Sequence, residues 1–156
     1  TTTSYSNTGL TAGTSYYYTV AAVNVSGTGT QSTEVSTSTI PAQVTGLAAT
    51  AASASQINLS WTAATGATSY NIYRSTTTGG EGTTPVVTGI TTTSYSNTGL
   101  TAGTTYYYTV AAANGSGTGT QSSEVSKLTF PAQTTGLAAT AISVSQVNLT
   151  WTAATV

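Results

Sequence analysis

The chain has 156 residues, of which only Arg74, Lys127, Glu34, Glu81 and Glu124 carry a charged side chain, and it contains no Asp, His, Cys or Met. Ser/His/Asp and Cys/His nucleophilic sites, thiolate or imidazole metal clusters and paired aspartates need residues that are missing, so the composition argues against an enzyme and against any bound metal or cofactor. A charged fraction of 3% leaves no basic patch for nucleic acid, and apolar runs interrupted by Thr are too short for membrane insertion.

Hydroxyls take the place of charge: there are 40 Thr and 20 Ser, with 16 Gly and 10 Tyr beside them. Disordered, O-glycosylated stalks share the hydroxyls but are rich in Pro and poor in aromatics. Three Pro and a regular spacing of Tyr, Trp, Ile, Leu and Val point instead to a packed core. Residues 1–66 align without a gap on residues 91–156, with 13 differences, so the sequence repeats with a period of 90. That period is too long for a solenoid and suits a small autonomous domain, which makes the array beads on a string.

Ile40-Pro41 and Phe130-Pro131 sit where a strand must stop, because Pro cannot donate to a central ladder. They divide the chain into the C-terminal part of one repeat (1–40), a complete repeat (41–130) and the N-terminal part of the next (131–156). With no Met at its start, the chain reads as a window on a longer array. Within 41–130 there is no helical period, and short alternating runs are separated by Gly, Ser and Thr. Ile57, Leu59 and Trp61 share one strand face, with Asn58 and Ser60 opposite; Tyr70 and Ile72 continue the alternation after a turn at Gly66. Val86, Tyr95 and Val125 supply weaker strands. Tyr106, Tyr108, Val110 and Ala112 are predicted inward, with Tyr107 and Thr109 outward. The sum is an all-β, seven-stranded two-sheet sandwich.

The unit resembles a fibronectin type III domain along its whole length. The resemblance rests on Pro41 with Gly46-Leu47, on Leu59-Ser60-Trp61, on SYNIYRS from Ser69, and on LTAGTTYYYTVAA from Leu100 to Ala112. It implies an immunoglobulin-like sandwich with Leu100 in the core, and a tyrosine corner at Tyr106 and Tyr16. Ala102 stands where the family usually has Pro. The Thr-rich wording is similar to tandem units of bacterial secreted polysaccharide-degrading enzymes and surface proteins, which implies an extracellular location.

Alternation leaves Tyr17, Tyr73 and Tyr107 facing solvent, as candidates for a surface contact with polysaccharide or glycans. The loop from Asn114 to Gly119 holds no Arg-Gly-Asp, and Val25 in place of Gly115 predicts that the two copies of this loop differ in shape. Glu34 and Glu124 mark a solvated face, and carboxylates this few would leave a calcium site to backbone carbonyls. Short Pro-marked joins restrict bending. The expected role is a semi-rigid, non-catalytic rod or filament that self-associates through neighbouring repeats or chains; the alternative is a spacer in a secreted glycoside hydrolase.

Overall fold

The computed structural model describes residues 2–154. Among them, every regular element is a strand: β1 (Ser15–Tyr18), β2 (Val23–Asn24), β3 (Gly27–Thr28), β4 (Val35–Ser38), β5 (Thr45–Ser53), β6 (Gln56–Thr62), β7 (Ser69–Ser75), β8 (Val87–Ile90), β9 (Ser94–Thr98), β10 (Thr105–Asn114), β11 (Gly117–Thr118), β12 (Val125–Leu128), β13 (Thr135–Ser143) and β14 (Gln146–Thr152). β-Branched and aromatic side chains alternating with Ser and Asn suit a pleated, half-buried surface.

Strands β5, β6 and β9 form one antiparallel sheet; β8, β7, β10 and β11 form the other, with β12 also paired to β10. The last strand of the sandwich is thus broken in two. The break centres on Ser122, whose hydroxyl accepts from Val110 N at 3.1 Å while its own N–H bonds the Val110 carbonyl at 2.8 Å. With β11 and β12 counted as one interrupted strand, the sandwich has seven.

Side chains from both sheets meet in one buried cluster: Ile57, Leu59 and Trp61 from β6 against Tyr70, Ile72, Tyr106, Tyr108, Val110 and Ala112, with Leu100 and Val44 closing it. Trp61 meets the Tyr70 ring edge-on at 5.3 Å between centroids and 64°, the geometry that aromatic quadrupoles favour. Val44 lies in the irregular segment before β5, where no alternation marks it. Val86, placed in a strand by its sequence, precedes β8 and is exposed; Val87 packs on the core in its stead.

The corner at Leu100 is closed by the Tyr106 hydroxyl, which accepts from Thr101 N at 3.0 Å, and Tyr16 accepts from Thr11 N at 2.9 Å in the first copy. These are the two tyrosine corners. The two copies of the 114–119 loop do not differ in shape. Ser26 N donates to Asn24 Oδ1 and Ser116 N to Asn114 Oδ1, both at 2.9 Å, and Gly27 and Gly117 take φ of 138° and 144°. The Asn side chain sets the turn, while Val25 points fully into solvent and leaves it unchanged.

Candidate functional site

The two faces of the larger sheet carry different chemistry. On the inner face, at the end of the core, Asn97 Nδ2 donates to the Tyr108 hydroxyl at 2.9 Å and Arg74 Nη1 donates to Asn97 Oδ1 at 3.2 Å. The Arg74 guanidinium lies 5.4 Å from the Tyr106 ring centroid, in cation–π range. Burial pushes the Tyr108 phenol up to about 12, against the smaller opposing effects of Asn97 and Arg74. These contacts run among side chains of the sandwich itself, which makes the network a structural device.

The outer face is where the sequence places the exposed tyrosines. Thr109 stands directly across from Tyr73, and Tyr107 across from Ser75, so Tyr73 and Tyr107 are diagonal neighbours on one face. Tyr107 is half-buried, but Tyr73 is only 5% exposed and Thr109 only 6%. Neither faces solvent as predicted. The segment between β7 and β8 folds back over this face. Gln121 fastens it, accepting from Thr109 Oγ1 at 2.6 Å through Oε1 and donating from Nε2 to the Gly82 carbonyl at 2.9 Å. Glu124 holds the same segment by accepting from Gly79 N at 2.6 Å and Thr78 Oγ1 at 2.9 Å. Alternation along a strand cannot reveal a roof supplied by a loop, and a Gln in irregular chain carries no pattern to mark it.

Within this roof Glu81 is buried, and its Oε1 has no hydrogen-bond partner among the described residues. Burial first, then the neighbouring Glu124, raises its pKa above the ordinary carboxylate value; the Gly79 N–H chiefly lowers that of Glu124. Glu124 therefore has a definite task in the fold, beyond the solvated face assigned to it. Glu34, its counterpart in the first copy, is exposed.

Tyr17 is 65% exposed and occupies the position of Tyr107 in the preceding copy. The three tyrosines thus do not form one platform: Tyr17 is exposed, Tyr107 half-buried and Tyr73 buried. Among the described residues no three acidic, His or Cys side chains gather as a metal cluster. No helix among them is long and apolar enough to cross a membrane.

A sequence model described as the fibronectin type III domain matches residues 42–128. This chain belongs to the fibronectin type III family. Exoglucanase B of Cellulomonas fimi is 36% identical over 180 aligned positions, which take in 99% of this chain but 16% of that enzyme. Chitinase A1 of Niallia circulans is 35% identical over 158 positions, 93% of this chain and 21% of its own length. This fibronectin-type chain therefore spans a small part of the enzymes it matches. Among solved structures, an Fn3-like protein from Clostridium thermocellum is 42% identical, with a TM-score of 0.51 over 55% of this chain and 90% of its own. The FN1–FN3 domains of chicken CNTN1, at 22% identity and a TM-score of 0.54, share the fold across 81% of this chain and 46% of theirs.

Proposed function

We propose that this segment is a non-catalytic, extracellular spacer: a row of fibronectin type III beads, divided at Pro41 and Pro131, that holds other parts of a bacterial protein apart while they work on a polymer. The observation that carries the reading is coverage. Almost the whole chain aligns with a small fraction of two enzymes whose names denote action on a glucan and on chitin. The side-chain hydrogen bonds of Arg74, Asn97, Gln121 and Glu124 agree with it, since they tie the sandwich to itself. The location follows from the substrates of such proteins, because polymers are too large to be taken into a cell intact. The test is excision of the repeats from the protein that carries them. The rate on a short soluble oligomer should stay within about two-fold, while the rate on the polymer falls, as expected when reach and local concentration are lost. Equal loss on both substrates would rule out a spacer.

Two further roles for the same surface rest on specific features. Tyr107 and Tyr17 recur 90 residues apart, which favours weak stacking on a polysaccharide; it predicts that Tyr107→Ala releases the chain from insoluble polysaccharide in a sedimentation assay. The near-absence of charge favours self-association into filaments, which electron micrographs of native material would show as continuous fibres rather than isolated rods.

A further inference from the structure

The join between the first and second copies is more than a peptide link through Pro41. In the first copy the turn Ala12–Thr14 presents Gly13, and in the second the turn between β6 and β7 presents Gly66. A Cβ on Gly13 would overlap the backbone of Thr65 and Gly66, and a Cβ on Gly66 would overlap the backbone of Gly13. The two backbones thus meet with no side chain between them. Both glycines have positive φ, 63° and 74°, so each also shapes the turn that delivers it.

Two more contacts are made by Thr39 and Ile40, just before Pro41, which is itself buried. Asn114 Nδ2 donates to the Thr39 carbonyl of the first copy at 2.9 Å, while Asn114 Oδ1 is held by Ser116 N in its own turn. The side-chain amide is therefore oriented before it reaches the neighbour. A Cβ on Gly117 would lie 3.2 Å from Ile40 Cγ2, so the Ile40 side chain rests on that turn. Proline alone fixes one dihedral and leaves the beads free to rotate. Contacts on two separate turns of the second copy, at Gly66 and at Asn114, remove that rotation.

We propose that the Gly13–Gly66 apposition and the Asn114–Thr39 clamp form a docking surface on the second copy whose partner is the copy that precedes it, and that this surface sets a single angle between these two beads. The proposal deepens the spacer reading, in that it makes the spacer a strut. Asn24 sets its own turn as Asn114 does.

The chain has no Cys, so nitroxide labels at Ser36→Cys on β4 and Thr88→Cys on β8, both exposed, report one distance across the joint in the full chain. The unaltered joint should give a single narrow distance distribution. Gly66→Asn adds a Cβ yet tolerates positive φ, and should broaden the distribution roughly two-fold or more, as expected for beads freed from a fixed interface. Asn114→Ala removes the clamp, together with the bond that Asn114 accepts from Ser116 N in its own turn, makes no demand on φ, and should broaden it as well. Urea melts of each variant show whether the central sandwich is intact, and if Gly66→Asn unfolds it, Asn114→Ala decides alone. A broad distribution in the unaltered chain, or a narrow one that an intact variant leaves unchanged, would overturn the joint. Neither result touches the spacer reading, because a flexible string also separates its ends; the excision experiment decides that question by itself.

Discussion

The same words fold differently in different places along this chain. Ser-Tyr-Ser-Asn-Thr at 94–98 is strand β9, paired to β6 from Ser94↔Ser60 to Thr98↔Gln56, whereas the identical residues 4–8 form no strand. Tyr-Tyr-Tyr-Thr-Val-Ala-Ala runs unbroken through β10 at 106–112, but at 16–22 the first strand stops at Tyr18. What survives in both copies is the short-range bonding. The tyrosine corners match, and Thr39 and Thr129 hydroxyls donate to the Thr11 and Thr101 carbonyls at 2.7 and 2.8 Å. What does not survive is burial: Trp61 is 6% exposed and Trp151 60%. Hairpins and corners are written locally, whereas strand length and core depend on β7 and its neighbours, whose counterparts lie in neither flanking segment.

The largest test of this contrast is to remove the same ring twice. Trp61→Ala should cost about 3 to 5 kcal/mol, as other large core truncations do, and Trp151→Ala no more than about 0.5 kcal/mol, as at a solvated site. Urea melts of the full chain followed by tyrosine near-ultraviolet circular dichroism compare the two; equal costs would mean that the flanking hairpin is packed like the centre. A finer cut uses one hydrogen bond in two settings. Asn97 Nδ2 donates to the Tyr108 hydroxyl in the core at 2.9 Å, and Asn7 Nδ2 to the Tyr18 hydroxyl at the surface at 3.2 Å. Tyr108→Phe strands a buried donor and should cost about 1 to 3 kcal/mol, whereas water replaces what Tyr18→Phe removes. Tyr108 also adds an alkaline signature. Its folded pKa is raised to about 12 from 10.0, so the native state holds its proton longer and stability falls as pH rises through that window; Tyr108→Phe abolishes this loss.

The contrast also explains how far the sequence can be read. The repeat, the seven strands and the inward set from Ile57 to Val110 follow from alternation and turn residues, because a strand's period of two is a local signal. Tyr73 defeats that reasoning: its parity is outward, yet a loop eleven residues long, tied down by Gln121 and Glu124, covers it. Loop placement depends on contacts across 39 to 46 positions, which no periodicity encodes. The close approach of Gly13 and Gly66 is hidden for the same reason, since each reads as an ordinary turn glycine until the neighbouring bead is in place.

The smallest effect concerns that roof. Glu81 and Glu124 face each other on the outer side of the sheet, while both cations, Arg74 and Lys127, pair across the ladder with the inward tyrosines Tyr108 and Tyr106. No positive group of the sheet therefore offsets the carboxyl pair. The raised pKa of Glu81 means that the folded state holds its proton more tightly than the unfolded one. Its stabilising contribution is complete below the ordinary carboxylate value of 4.5 and is lost as pH rises through the folded value. Glu124, held low, contributes in the opposite sense: its share is present above 4.5 and is lost as pH falls. Glu81→Gln keeps a donor facing Glu124 but cannot ionise. Stability measured by urea midpoint should then rise steadily with pH through the carboxylate range, whereas the unaltered chain, with two opposed titrations, shows a flatter or falling profile. Parallel profiles for the two proteins would mean that the Glu81 proton takes no part in holding the loop down.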